Sequence, residues 1–180
     1  RFSKSKTKSS IREINIEFAS DCNLRCKFCS LDHLKPKEHI TPEILEQALT
    51  EIIENKAFHK VEVLNLYNGG ETLLHPKRLE LFKLIAQYKE KAKRENKHFP
   101  KIMMLTNGML LREKLARQIL ETKALDTIQF SLDGGTPESF EDLRVNAKWK
   151  PFYNNVKTLD VLRKELQPDL MMKSITIVEG

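Results

Sequence analysis

The chain has 180 residues, of which 40% are hydrophobic and 31% are charged, and its formal net charge is +6. This apolar share is enough for one domain with a sizeable core and excludes a largely disordered chain. No apolar run approaches the ~20 residues that cross a bilayer, and the N-terminus lacks the apolar segment of a secretory signal, so we expect a cytoplasmic protein without membrane spans.

The basic charge is concentrated at the N-terminus. Arg1, Lys4, Lys6 and Lys8 lie in the first ten residues, which leaves 27 basic and 25 acidic residues in the rest of the chain. We predict a disordered basic tail over residues 1–10 and one domain over residues 11–180. A solvated tail explains the charge run more simply than a nucleic-acid contact does, so we do not expect nucleic-acid binding.

Strand-like and helix-like segments alternate after the tail. The lengths and apolar patterns predict five strands, at residues 14–18, 61–67, 101–105, 127–132 and 170–178. Helical periodicity predicts helices that begin after the cap Thr41-Pro42 and near Pro76, and two more around residues 111–120 and 152–162. Residues 136–151 form a short helix or a loop. This order predicts an α/β fold with a parallel sheet and outer helices.

Several of these strands alternate polar and apolar residues, whereas strands buried on both faces are usually apolar throughout. If the apolar residues face the helices, the polar ones line a hollow interior. The polar set is Asn15, Glu17, Asn65, Thr106, Gln129, Ser131, Ser174 and Thr176. The pattern predicts a partial (β/α) barrel of parallel strands, with its functional site at the carboxyl ends of the strands.

Three cysteines, the only ones in the chain, follow the first predicted strand. Cys22, Cys26 and Cys29 have the spacing C-x3-C-x2-C. Such an odd cluster fits metal binding in a reducing compartment better than disulfides. Three thiolates can hold three corners of an iron–sulfur cube and leave one iron open. The alternative is a zinc site with His33 as the fourth ligand, in a non-catalytic binding module.

Gly69-Gly70-Glu71 follows the second predicted strand. The two glycines can simply form a tight turn, with Glu71 early in the next segment. In the functional interpretation, residues without Cβ let the backbone approach a ligand closely, and Glu71 accepts hydrogen bonds from a cationic amine.

Hydroxyl groups end the next two predicted strands, at Thr106 and Ser131. These hydroxyls can bind a carboxylate or a ribose, and Arg144 can pair with the same carboxylate. The alternatives are ordinary strand-end hydroxyls and a surface arginine.

Together, the cysteine loop with Phe28, Gly69-Gly70-Glu71, Thr106-Asn107-Gly108 and Ser131-Leu132-Asp133-Gly134 resemble the core of the radical S-adenosylmethionine (radical SAM) enzymes, over roughly residues 11–178. The resemblance implies a 4Fe–4S cluster whose open iron binds S-adenosylmethionine. It implies one-electron cleavage to a 5′-deoxyadenosyl radical that takes a hydrogen atom from a substrate, an oxidoreductase-type reaction. A flavodoxin- or ferredoxin-like electron donor would supply the electron.

The same resemblance implies roles for individual residues. Cys22, Cys26 and Cys29 would ligate the cluster, and Phe28 would pack near the adenine. Gly69 and Gly70 would let the backbone approach the cofactor closely, and Glu71 would hold its methionyl amine. Thr106 and Ser131 would contact its carboxylate or ribose.

The segment from Ser131 to Arg144 also resembles a subgroup that carries a C-terminal extension with auxiliary clusters (SPASM-type), often acting on peptides, so the substrate is a peptide or a small molecule. The chain departs from this pattern because no cysteine follows Cys29. It also ends after a fifth predicted strand, where the family core has six. We therefore expect a barrel truncated after the fifth strand, which can be inactive on its own.

Overall fold

A parallel sheet of five strands forms the centre of the protein. The computed structural model describes residues 11–176, so the predicted tail lies outside the described residues. The strands are β1 (Glu13–Asn15), β3 (Val63–Asn65), β4 (Lys101–Thr106), β5 (Thr127–Ser131) and β7 (Met171–Ile175), in the spatial order β1-β3-β4-β5-β7. Every neighbouring pair is parallel. The expected α/β fold, a partial barrel of parallel strands, is confirmed.

Five α-helices connect the parallel strands: α1 (Pro42–Glu54), α2 (Arg78–Arg94), α3 (Glu113–Thr122), α4 (Pro137–Leu143) and α5 (Trp149–Leu166). The predicted Thr41-Pro42 start is confirmed, because the Thr41 hydroxyl accepts a hydrogen bond from the Ile44 amide at 3.3 Å. Two short 3-10 turns lie at Lys56–Phe58 and Thr72–Leu74. None of the helices within residues 11–176 combines the length and the apolar character that a membrane crossing needs.

The apolar core lies between the sheet and this helical layer. Fully buried side chains of α1 and α2 pack against those of β3 and β4, and the group includes Leu45, Leu49, Leu64, Leu66, Leu81, Phe82, Ile85, Ile102 and Met104. Burying a side chain of this size contributes about 1.5 to 3 kcal/mol relative to leaving it exposed. The core therefore holds one face of the sheet against the helices and leaves the other face to border a cavity.

The predicted polar lining is correct for some strands and wrong for others. Asn65 pairs with Asn15 in the sheet and donates to its side-chain oxygen at 2.8 Å. Thr106, however, pairs with Phe130 and through it with Ser174. That row faces the helices, since Phe130 packs edge-on against Phe152 of α5 with ring centroids 6.1 Å apart. The interior row is instead Leu105, Gln129 and Lys173.

The first two strands are shorter than predicted. The predicted strand 14–18 ends at Asn15, and the chain from Phe18 to Ser20 pairs with residues 38–40: the Ile40 amide donates to the Phe18 carbonyl at 3.0 Å. The predicted strand 61–67 is reduced to β3. The predicted strand 170–178 is observed as β7, and its last two positions lie outside the described residues.

A two-residue antiparallel ladder was not predicted. It pairs β2 (Arg25–Cys26) with β6 (Arg144–Val145), and Cys26 lies opposite Arg144. The predicted short helix or loop at 136–151 thus contains α4, β6 and the start of α5. The ladder ties the cysteine loop to the segment after β5.

Candidate functional site

One cavity of about 910 Å³ opens at the carboxyl ends of β3, β4, β5 and β7. This size is in the range of cofactor and substrate pockets. Every site residue predicted from the sequence borders it: Cys22, Cys26, Phe28, Cys29, Gly69, Gly70, Glu71, Thr106, Ser131 and Arg144. The parallel topology brings these residues together, since all of the strands end at the same edge.

The three cysteines form one wall of this cavity and are free thiols. Burial raises the pKa of Cys22, and the nearby charges of Glu71 and Cys29 raise it further. Burial also raises the pKa of Cys26, although the charge of Arg144 works in the opposite direction.

Within residues 11–176, no three His, Cys, Asp or Glu side chains converge on a point that could hold a single metal ion. A tetrahedral zinc site would need its donors about 2.0 to 2.3 Å from one ion. An iron–sulfur cube requires less convergence, because each thiolate binds a different iron. The donor set, three separate thiols on one short loop beside an open cavity, fits such a cube.

Glu71 is buried, with 3% of its surface exposed, and joins two motif turns. Its carboxylate accepts hydrogen bonds from the Thr106 hydroxyl and the Asn107 amide, each at 2.8 Å, and from the Leu73 amide at 3.2 Å. Burial raises the pKa of Glu71, while these bonds work to lower it. The prediction gave this carboxylate to a ligand amine, whereas in the structure both of its oxygens have protein partners.

Gly70 makes its close approach to the chain itself. A Cβ placed there would lie 1.8 Å from the Ala19 carbonyl oxygen, whereas one at Gly69 would meet only ordinary contacts at 3.4 Å and beyond. The Glu71 amide donates to the Asp21 carbonyl at 2.7 Å. The Gly-Gly-Glu turn therefore packs directly on the segment that leads into Cys22.

Arg144 is not a surface residue, since only 7% of it is exposed. Its guanidinium forms a buried ion pair with Asp133, donates to the Cys26 sulfur at 3.6 Å and lies over the Phe28 ring at 5.5 Å. A buried charge without its partner is costly, so this pair holds the turn after β5 against the cysteine loop.

Asn107 is a site residue that the sequence interpretation missed. Its side-chain amide donates to the Asn23 oxygen at 2.9 Å and contacts the Cys22 sulfur at 3.8 Å. Thr106-Asn107-Gly108 was interpreted only as a turn with a hydroxyl, yet an amide side chain at the same edge was a usable signal. Ser131 lines the cavity, while the Thr106 hydroxyl donates to Glu71 and accepts from the Gly108 amide.

The arrangement of a cysteine loop and three motif turns around one cavity agrees with a comparison against protein families. A sequence model of the radical SAM superfamily matches residues 16–178. The chain belongs to the radical SAM superfamily. Enzymes of this superfamily use a 4Fe–4S cluster and S-adenosylmethionine, which are the two cofactors that the sequence predicted.

Curated relatives of this radical SAM chain include four proteins named GTP 3′,8-cyclase. The one from Microcystis aeruginosa (strain NIES-843 / IAM M-2473) is 26% identical over 152 residues, which are 80% of this chain and 42% of the relative. The one from Syntrophomonas wolfei is 29% identical over 140 residues, 76% of this chain and 38% of the relative. The chain thus spans less than half the length of these relatives.

Solved structures show the same fold. Native anSMEcpe with bound AdoMet is 22% identical, with a TM-score of 0.65, over 92% of this chain and 43% of that one. SuiB of Streptococcus suis, solved with its precursor peptide SuiA, is 18% identical, with a TM-score of 0.67, over 86% of this chain and 31% of that one.

Proposed function

We propose that this radical SAM chain is the core of an enzyme that holds a 4Fe–4S cluster at Cys22, Cys26 and Cys29 and S-adenosylmethionine beside it. When bound, the two groups supply a one-electron cleavage that gives a 5′-deoxyadenosyl radical able to take a hydrogen atom from a substrate. The protein contributes binding, orientation and protection from side reactions.

The chain's own residues divide this work. Phe28 and Ser131, which border the cavity, would contact the cofactor directly. Glu71 and Thr106 would hold the Gly-Gly-Glu and Thr-Asn-Gly turns at a fixed distance from each other, because they are bonded to each other. Arg144 would steady the Cys26 side of the cluster loop, at a wall of the cavity where its guanidinium is paired with Asp133.

One observation carries this proposal: the cysteine loop and the turns after β3, β4 and β5 share the walls of a single cavity. A zinc-stabilised module would give no reason for a buried carboxylate and three motif turns to border the cysteines.

The partners follow from the same chemistry. A flavodoxin- or ferredoxin-like protein would supply the electron, and free thiols fit a reducing, cytoplasmic compartment. The substrate would enter at the mouth of the cavity, beside the segments 30–33 and 35–38 that line it. It is a small molecule or a peptide: the curated relatives are named for GTP, and SuiB was solved with a peptide.

Anaerobic reconstitution with iron and sulfide tests the proposal. We expect about four irons per chain and 5′-deoxyadenosine when reductant and S-adenosylmethionine are added. Replacing Cys26 by Ala should abolish both. Stoichiometric zinc without iron binding would contradict the proposal.

His33→Ala is the matched control for the zinc alternative. His33 borders the same cavity but is not among the proposed ligands. We expect its replacement to leave the iron content unchanged. Loss of all metal in His33→Ala would instead support the zinc-stabilised module.

A further inference from the structure

We propose that Glu17 is a positioning residue of this site, whose side-chain oxygen fixes the Gly69-Gly70 turn against the cysteine loop. The proposal deepens the proposed function and rests on it for the effect on the cofactor. Glu17 itself lies outside the motifs that identify the family.

The evidence is a pair of hydrogen bonds to one atom. Glu17 Oε1 accepts the Gly69 amide at 2.7 Å and the Gly70 amide at 2.9 Å. Two successive glycines have no side chains with which to anchor themselves, and their backbone is unusually free. The position of this turn therefore depends on what its backbone contacts.

Three of those contacts come from one short segment. Glu17, Ala19 and Asp21 alternate along the chain just before Cys22, and each touches the turn: Glu17 at both glycine amides, Ala19 at the Cα of Gly70, and Asp21 at the Glu71 amide. Of the three, only Glu17 acts through its side chain. It is therefore the one contact that substitution can remove without altering the backbone.

The position of the turn matters for the cofactor because Glu71 continues it. Glu71 bonds Thr106 and Asn107, and Asn107 reaches Asn23 beside Cys22. A shift at the glycines would pass to two walls of the cavity. Misplacement of a binding group by about 1 Å can cost a factor of about 100 in catalysis.

A different role for Glu17 would be direct contact of its charge with a cationic group of the cofactor. Glutamine separates the two roles. Both bonds use a single oxygen, which glutamine keeps, whereas glutamine has no charge. Positioning predicts that Glu17→Gln behaves like the native protein and Glu17→Ala does not, while direct charge contact predicts that both variants fail.

The experiment compares Glu17→Gln, Glu17→Ala and the control Glu13→Ala in the anaerobically reconstituted chain. Glu13 lies four residues earlier, at the start of β1, and bonds Asn65, not the turn. We expect all variants to retain the native iron content, and the Kd for S-adenosylmethionine to rise about tenfold or more in Glu17→Ala and less than about threefold in the other two. Equal weakening by Gln and Ala, or no weakening by Ala, would overturn the proposal.

A second measurement needs no cofactor. Amide hydrogen exchange of Gly69 and Gly70, followed by NMR in the unloaded chain, should become about tenfold faster in Glu17→Ala and stay near native in Glu17→Gln. Unchanged exchange in Glu17→Ala would refute the proposal that Glu17 fixes the Gly69-Gly70 turn. If the native chain instead fails to bind iron or S-adenosylmethionine while the exchange result holds, the proposed function is wrong. The role of Glu17 in fixing the turn is then still supported.

Discussion

Gly69 and Gly70 are adjacent residues of the same type, yet their surroundings make opposite demands. Gly70 lies against the Ala19 carbonyl, which belongs to the backbone and cannot swing away, whereas Gly69 has room for a methyl group. The sequence alone could not distinguish them, because the packing partner of Gly70 is fifty-one residues earlier in the chain. The pair provides a matched test of close backbone approach.

We expect Gly70→Ala to lower the free energy of unfolding by about 1 to 3 kcal/mol, because the added methyl forces the turn away from Ala19. Gly69→Ala should stay within about 0.5 kcal/mol of the native chain. Urea unfolding of the unloaded protein measures both. Equal losses in the two variants would show that backbone freedom, and not the close approach, explains the glycines.

That the predicted residues meet around one cavity followed from the sequence, but several of their hydrogen-bond partners did not. The carboxyl ends of parallel strands lie at the same edge of the sheet. The polar residues that follow the strands were therefore expected to lie close together, and they do. The bonds of Glu17 to Gly69 and of Arg144 to Cys26 depend on long-range approaches that no local pattern encodes. The two-residue ladder that brings Arg144 to the cysteine loop is too short to leave a signal in the sequence.

At the scale of elements, the alternating sequence pattern predicted the order of strands and helices. It did not predict the residues at which the strands begin and end. Asp126, just before β5, illustrates how these ends are fixed. Its carboxylate accepts the Ile102 amide and the Lys89 ammonium, each at 2.9 Å, and Lys101 lies 3.3 Å away. The Asp126 carbonyl also accepts the Met171 amide at 2.9 Å. One residue thus joins the starts of β4, β5 and β7 to α2.

Because of these interactions of Asp126, the free energy of unfolding depends on pH. Burial works to raise the pKa of Asp126, but the bonds from Ile102 and Lys89 outweigh it, so the pKa lies below its ordinary value. The unfolded chain therefore takes up the proton first as the pH falls. The contribution of Asp126 is fully present above about pH 4 and is lost as the pH drops through the folded pKa.

We expect Asp126→Asn to lower the free energy of unfolding by about 1 to 3 kcal/mol at neutral pH, because the neutral amide loses the charge-assisted bonds. The difference from the native chain should shrink as the pH is lowered below about 4. Urea unfolding across this range measures it, with the exposed Asp169→Asn as control. If the difference in the free energy of unfolding stays constant with pH, the charge of the Asp126 carboxylate is not what stabilises the fold here.

At the scale of the whole molecule, the distribution of charge bears on the electron donor. The net charge is +6, but the residues after position 10 contribute only +2 of it. Lys35 and Lys37 lie at the mouth of the cavity, whereas Lys56 and Lys60 precede β3 and so lie towards the opposite rim of the sheet. An acidic donor should respond to the local field near the cluster more than to the total charge, since salt screens charges beyond about 8 to 10 Å.

Two double variants separate the local field from the total charge, because each lowers the net charge from +6 to +2. We expect Lys35→Glu with Lys37→Glu to slow reduction of the cluster by reduced flavodoxin about threefold to tenfold, and the rate for the native chain to fall with added salt. Lys56→Glu with Lys60→Glu should have a smaller effect, because those lysines lie far from the cavity.

Stopped-flow absorbance follows the reduction, and photoreduced deazaflavin serves as a small reductant that should not distinguish the variants. Equal slowing by both variants would assign the effect to net charge, and a rate that neither salt nor either variant changes would exclude electrostatic guidance of the donor to this face.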